Sequence, residues 1–371
     1  MVTILARSLT NRLLRIMKKI FFALAAVAAL ASCSKSEAQY DDVKDEISFA
    51  PVTKNITKTM VTGVNFPTTE SFNVWAWYKQ VPKNTSVADW GATDSEHLYI
   101  SEGEFVNQSG TANWKGKTSY YWPKVGSLLF AGYYPTSIKN DVEYNFNSLK
   151  NEMVFNKIQE RFVDTGDPAE DIMYFNMTAK SSNAGPVSVI FKHALSWITV
   201  NLSRTSDNAV GVEFPKIVVN SVTFTNVNPQ GTGTVTGTDG KIRWETNGTV
   251  QNPVVTPTTG VVLTEAVQKQ AEPLFIPQAL TVDDDTTTDK NEAMQLQVNY
   301  TIYSSATEYF TETYSVNLKG MSGTTADGTT TLDAWEPAKH YIYNISIGLE
   351  EILIAPKVED WAEVTVAVPV Q

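Results

Sequence analysis

The sequence predicts an all-β chain built of β-sandwich domains, and three observations predict it. Short segments rich in aromatic and β-branched residues recur along the whole length. Thr-, Asn-, Ser- and Gly-rich stretches such as "DDDTTTDKNE" (Asp283 to Glu292) and "MSGTTADGTTT" (Met321 to Thr331) separate them. After residue 32 there is no long stretch with the apolar period of an amphipathic helix. Many short strands joined by polar turns pack as sandwiches.

The strands are read in order. "SFNVWAWYK" (Ser71 to Lys79) and "SLLFAGYYP" (Ser127 to Pro135) come first, followed by the long run "VSVIFKHALSWITVNL" (Val187 to Leu202). "IVVNSVTFTNV" (Ile217 to Val227), "MQLQVNYTIYS" (Met294 to Ser304) and "YIYNISIGL" (Tyr341 to Leu349) follow. The fifth segment alternates most clearly. Met294, Leu296, Val298, Tyr300 and Ile302 share one face, and Gln295, Gln297, Asn299 and Thr301 share the other. That is a strand with one face in water. Asp239-Gly240 and Asn247-Gly248 sit where hairpin turns belong. "DPAEDIMYFNM" (Asp167 to Met177) has room for one short helical turn. A polar break at "RTSDNA" (Arg204 to Ala209) divides the chain after its leader into two halves of similar length, 33–205 and 206–371, with no repeat between them.

The leader carries the only cysteine. Lys18 and Lys19 form a basic start, Ile20 to Leu30 is an apolar run of eleven residues, and Ala31, Ser32 and Cys33 follow. A basic head, a short apolar core and small residues at the exit describe a secretory signal, residues 1–32, whose start would be Met17. The run is too short to span a bilayer. Leu-Ala-Ser-Cys is what a bacterial lipoprotein box looks like, which makes Cys33 the acylation site; a plain secretory signal is the alternative. Two or more acyl chains on one residue anchor a protein stably.

Charge and chemistry narrow the function. Met1 to Ser32 holds five basic and no acidic residues, so the formal charge falls from −11 to −16 over the remaining 339 residues. Such a surface repels phosphate backbones and argues against nucleic acid as a partner. No HExxH, CxxC, GxSxG or P-loop pattern occurs among the sequence motifs. His193 and Ser196 are three apart, on opposite faces of any one strand, so they do not form a nucleophile and its base. An EF-hand starting at Asp283 would need Gly at 288 and Glu at 294, where the chain has Thr288 and Met294. Trp90 and Trp114 lie in polar stretches and are the two tryptophans expected to be open to a ligand. Neither an enzyme nor a cofactor or metal is expected from these patterns.

Several motifs together carry a resemblance: "YYWPKVGSLLFAGYYP" (Tyr120 to Pro135), "PAEDIMYF" (Pro168 to Phe175), "VSVIFKHALSWITVNL", "AWEPAKHYIYNISI" (Ala334 to Ile347) and "VEDWAEVTVAV" (Val358 to Val368). In this order, behind a lipoprotein signal, the chain resembles the fimbrillin (Mfa-like) proteins of the Bacteroidetes. The resemblance implies two transthyretin-like β-sandwich domains and export to the outer membrane by the lipid on Cys33. It also implies a trypsin-like surface protease that cuts after a basic residue just past the first strand. That strand leaves, and a neighbouring subunit's terminal strand fills the groove, so the subunits polymerise into a pilus.

Residues in this chain match those parts. The first strand would be "DEISFAPV" (Asp45 to Val52), with Ile47 and Phe49 on its apolar face. Lys58 in the following "TKNITKTMVTG" is the expected cleavage position, with Lys54 as the alternative; the family often has Arg there. The donor would be "AEVTVAVPVQ" (Ala362 to Gln371), where Val364, Val366, Val368 and Val370 share one face. The preceding "GLEEILIAPKVEDW" is expected to break at Pro356 and join the same appendage. The alternatives are an anchored lipoprotein that binds host or glycan ligands and a pilus tip or anchor subunit.

Overall fold

The computed structural model describes residues 45–52, 66–79, 97–108, 110, 112–124, 126–146, 151–159, 171–181, 185–205, 215–237, 239–255, 260–283, 292–348 and 352–360. The chain divides into two units, Met1–Asp45 and Glu46–Gln371, and everything below concerns the second. Among the described residues the helical content is one 3-10 turn, Thr136–Asp141.

The strands run β1 (Ser48–Val52), β2 (Ser71–Lys79), β3 (His97–Asn107), β4 (Trp114–Gly116), β5 (Ser127–Tyr134), β6 (Val142–Phe146), β7 (Asn151–Gln159) and β8 (Met173–Ser181). Next come β9 (Val187–Ile190), β10 (Lys192–His193), β11 (Ser196–Arg204), β12 (Lys216–Phe224), β13 (Gln230–Thr236), β14 (Ile242–Thr246), β15 (Val261–Val262) and β16 (Gln268–Ala271). The last are β17 (Leu274–Phe275), β18 (Gln278–Ala279), β19 (Gln295–Tyr303), β20 (Tyr309–Asn317), β21 (Ser322–Thr325), β22 (Gly328–Thr331), β23 (Ala334–Trp335), β24 (Lys339–Ile347) and β25 (Ile352–Asp360).

Four main sheets result. The first has the order β10-β8-β5-β2-β3-β4-β1-β9. A second, β14-β13-β7-β6, covers one of its faces; Trp75, Trp77, Leu129, Ala131 and Tyr133 pack there against Met153, Phe155, Val235 and Ile242. The third follows β16-β11-β24-β25-β21-β22, with β17 also on β11, and the fourth is β15-β12-β19-β20. Ile198, Val200, Ile345 and Tyr343 of the third meet Val219, Phe224, Leu296 and Val298 of the fourth. The chain crosses between its halves twice. β11, from before residue 205, pairs in parallel with β24, and the β13–β14 hairpin, from after it, pairs with β7.

Both-sided burial explains the continuous apolar runs. β5 is buried at every position. Leu128, Phe130 and Tyr134 face a core inside the first sheet, while Leu129, Ala131 and Tyr133 face the second. A strand with two dry faces loses its period of two. Gly132 of β5 has no room for a side chain, since a Cβ would lie 2.4 Å from Phe175 Cε1 and 2.6 Å from the Asn73 carbonyl.

Three expectations are corrected first. The run Val187 to Leu202 is not one strand but β9, β10 and β11, in two sheets. β9 and β10 lie at opposite ends of the first sheet's order, one residue apart in the chain, so that sheet curls until its edges meet at buried Phe191. β25 does not break at Pro356. It runs unbroken from Ile352 to Asp360 against β24, and Ile352, Ile354 and Val358 pack on the core with buried Pro356 between them. Its other neighbour, β21, pairs at a single position, Thr324 with Lys357, so one edge is almost bare and tolerates a residue with no N–H. Trp114 is 1% exposed, and its Nε1 donates to the Glu70 carbonyl at 3.0 Å, so it is a core residue rather than a ligand platform. Trp90 lies outside the described residues.

Of the smaller readings, one holds and two change. Asp239 and Gly240 turn the β13–β14 hairpin, with Gly240 at φ +62°. Asn247-Gly248 turns the chain at the end of β14, where Asn247 N–H donates to the Gln230 carbonyl, without joining two strands of a ladder. Met173 to Met177 begin strand β8 rather than form a helical turn, and 167–170 lie outside the described residues.

His340 of β24 gives this fold a pH response. Its ring stacks on Trp197, with 3.5 Å between centroids and 6° between planes, and Nε2 is 2.9 Å from Thr199 Oγ1. Burial pushes its pKa from the ordinary 6.5 down to about 4, against a smaller upward pull from Glu359. The unfolded chain then takes up a proton before the folded one does. The His340 contribution to stability is expected to fall as pH drops from about 6.5 to about 4, by on the order of 3 kcal/mol, and to level off below that. Denaturant titrations across this window check it, and His340→Gln should flatten that step.

Candidate functional site: the first strand and its slot

Strand β1 is short, internal and held chiefly by its side chains. Its alternation turns Ile47, Phe49 and Pro51 inward, and Ile47 and Phe49 are 0% exposed. Phe49 is the centre of an aromatic cage. Phe105 stands 4.8 Å away, Phe130 5.2 Å, Phe72 5.9 Å and Phe175 6.0 Å, the first three edge-on. Edge-to-face pairs at these separations each add about 0.5–1.5 kcal/mol beyond the area buried. Val187, Val189, Trp122 and Phe66 complete the same core.

The backbone holds β1 less firmly. On one side it meets β4 antiparallel at two positions, Ser48 with Lys115 and Phe49 with Trp114. On the other it runs parallel to β9 over four, from Phe49–Val187 to Val52–Ile190. Parallel ladders are slightly weaker per residue. Phe191 N–H donates to the Val52 carbonyl at 3.1 Å, and Ile47 N–H donates to the Tyr120 carbonyl at 2.7 Å. By the period of two, Pro51 lacks its N–H on the side of β4, past the point where β4 has ended. The entrance carries one ion pair, Glu46 to Lys115 at 2.6 Å, whose hydrogen bond lowers the Glu46 pKa. At partial exposure such a pair contributes little.

Without β1, the first sheet would open between β4 and β9. The result would be a slot with a phenylalanine-lined floor and two unpaired backbone edges. Such a slot accepts an extended segment with apolar residues at every second position. Lys54 and Lys58 lie in residues 53–65, outside the described residues, as do Cys33 and the tail with Val364, Val366, Val368 and Val370. The structure therefore positions Ile47 and Phe49 and none of the other expected site residues.

Residues weighed and set aside in the sequence as catalytic or metal-binding serve the fold. His193 Nδ1 lies 2.6 Å from Asp171 Oδ2, both buried, which ties β10 to the entry of β8. This joins two of the motifs, a pairing the sequence reading did not anticipate. Ser196 Oγ instead donates to the Glu336 carbonyl at 2.9 Å. Asp283 Oδ1 accepts from the Glu292 and Ala293 N–H groups at 2.9 and 3.0 Å, closing its loop. Among the described residues no three His, Cys, Asp or Glu are grouped to hold a metal ion.

A profile of fimbrillin-like proteins matches residues 57–361, most of the chain. The chain belongs to the fimbrillin-like family. A prokaryotic membrane lipoprotein lipid attachment site matches residues 17–34 of this fimbrillin-like chain, a span that starts at Met17 and contains Cys33. No curated protein matches it. Among solved structures it is similar to a fimbrial protein from Bacteroides vulgatus, at TM-score 0.53 and 14% identity, covering 86% of this chain and 100% of that one. It is also similar to a candidate cell adhesion protein from Bacteroides uniformis, at TM-score 0.50 and 14% identity, covering 85% and 99%. At such identities the likeness is one of fold. The fimbrillin-like family is one of pilus and adhesion subunits, and a lipid attachment site makes this member a membrane-anchored one.

Proposed function

We propose that this chain is a structural pilus subunit, exported as a lipoprotein acylated on Cys33, carried to the outer membrane and polymerised by exchange of its first strand. The observation that carries the proposal is β1 itself: five residues, internal to a sheet, seated by Phe49 and followed at once by a segment with Lys54 and Lys58. A trypsin-like surface protease cuts after Lys58 and frees β1. Its place is taken by Ala362 to Gln371 of the next subunit, with Val364, Val366, Val368 and Val370 pointing into the slot.

The exchange has a physical logic. Valine fills the Phe49 site less well than phenylalanine, which weakens the incoming strand locally. A ten-residue tail, however, has more backbone and more apolar residues to pair along β4 and β9 than a five-residue β1 does. The two halves, 33–205 and 206–371, are proposed as transthyretin-like sandwiches that share strands through β11 and the β13–β14 hairpin. The subunit has no catalytic role or cofactor in this reading; its partners are other subunits, the membrane and the protease.

Replacing Lys58 with Gln is expected to leave the protein folded but to block processing at that bond. N-terminal sequencing of surface material checks this. If processing moves to Asn55, Lys54 supplies the site; if Lys54→Gln with Lys58→Gln is still cut between β1 and β2, neither lysine is the signal.

A further inference from the structure

The fourth sheet carries a feature that polymerisation does not use. On the outward face of β19, Gln295, Gln297, Asn299, Thr301 and Tyr303 follow one another, with Thr301 itself covered by its neighbours. Opposite them on β20, the alternate residues from Tyr309 to Asn317 are hydroxyls and an amide. The β19 and β20 residues of this face carry no charge over eight strand steps, about 26 Å; the cation beside them on β12 is Lys216, whose Nζ lies 5.6 Å from the centre of the Tyr303 ring. A solvated strand face ordinarily carries Lys and Glu, and the protein is strongly acidic elsewhere.

The face is organised. Asn220 Nδ2 donates to Asn299 Oδ1 at 2.8 Å and to Thr301 Oγ1 at 2.9 Å. Thr301 and Thr311 hydroxyls meet at 2.8 Å, and Asn299 Nδ2 donates to Thr313 Oγ1 at 2.9 Å. One end carries two tyrosine rings, Tyr303 and Tyr309, 5.3 Å apart, with Tyr309 64% exposed. The other end opens into a cavity of about 310 Å³ lined by Thr225, Asn226, Asn252, Asp283, Gln295 and Gln297. That is the low end of small-ligand pockets, too small for a macromolecular side and ample for a sugar ring.

Groups within the cavity are open to a ligand. Asp283 spends Oδ1 on its loop, Asn252 spends Oδ1 on the Asn226 N–H, and Gln297 donates through Nε2 to Gln295. Among the described residues, Asp283 Oδ2, Asn252 Nδ2 and Gln297 Oε1 have no protein partner. Two acceptors and a donor facing one polar cavity suit vicinal hydroxyls, which donate and accept together. An anion would meet Asp283 with no cation among the described residues that line the cavity. A tyrosine at the far end of the stripe offers an apolar ring for the flat face of a sugar.

We infer that the outward face of β12, β19 and β20 is a binding site for a neutral glycan, with one sugar ring in the cavity beside Asp283 and the chain lying along the amide stripe toward Tyr309. This site is independent of β1 and its slot, so it operates in an anchored subunit as well as in a polymer. The test uses the intact protein purified from the cell surface. Mannopentaose, cellopentaose and galactopentaose are the neutral probes, sialyllactose is the acidic one, and binding is read by surface resonance. At least one neutral probe is expected to bind with an affinity that changes less than about twofold between about 0.05 and 0.5 M salt. Gln297→Ala is expected to weaken it about tenfold and Tyr309→Ala severalfold, since each removes one hydrogen-bonding or stacking group. Unchanged near-ultraviolet circular dichroism establishes that both variants are folded. No binding of any neutral probe, equal binding by wild type and both variants, or binding of sialyllactose alone would each overturn the inference.

Discussion

Phe49→Ala is expected to destabilise the first sheet by about 3–5 kcal/mol, the range for removing a buried aromatic ring without collapse of its site. Collapse is resisted here because the surrounding rings are themselves fixed. Phe72, Phe105, Phe130 and Phe175 are all at or near zero exposure and belong to strands with neighbours on both sides. The melting temperature should fall by on the order of 10 °C, measured by thermal and denaturant unfolding of the unprocessed protein. The same change should hasten departure of β1, since Phe49 is its main hold. Faster exchange with an added tail peptide, alongside lower stability, is the expected pair of results. A loss under about 1 kcal/mol would mean that β1 is not seated as described.

Deletion of Ala362 to Gln371 is expected to abolish homopolymers while leaving the folded subunit intact. The tail contributes four valines on one face of an alternating strand, each worth about 1.5–3 kcal/mol when fully buried, before the cost of ordering. Denaturing-gel ladders of protease-treated material, without boiling, read the outcome. Persistent ladders with the deletion would assign the donor to another segment. The reciprocal change, a charge at Val366, should weaken assembly without touching the monomer, because a carboxylate placed on the phenylalanine floor is left unpaired.

The fold was legible where one face of a strand meets water. β19 appears in the sequence almost residue by residue because Leu296, Val298 and Ile302 alternate with amides. β5 was legible as a strand by composition, although its face could not be assigned, since both faces are buried. The run from Val187 to Leu202 hid two breaks for the same reason. Phe191, Ala194 and Leu195 are as buried as the strands they separate, so hydrophobicity carries no punctuation there. Trp114 misled because its flanking residues are polar while the indole lies inside. Pro356 misled because a proline is compatible with a strand whose outer edge is nearly bare. At the candidate site, the inward pair Ile47 and Phe49 could be read from alternation. Their cage could not, because its four phenylalanines come from four strands spread between residues 72 and 175. The Asp171–His193 contact was hidden in the same way, each residue sitting in a separate motif.

The most direct test of strand exchange is the N-terminus of the subunit within the assembled polymer. Polymers are isolated from the cell surface, dissociated, and their subunits sequenced and weighed intact. The account predicts a chain that begins at Thr59 and lacks β1, while unassembled precursor still carries an acylated Cys33. Polymers whose subunits retain Ile47 and Phe49 on an acylated chain would contradict it, because the slot would then still hold its own first strand.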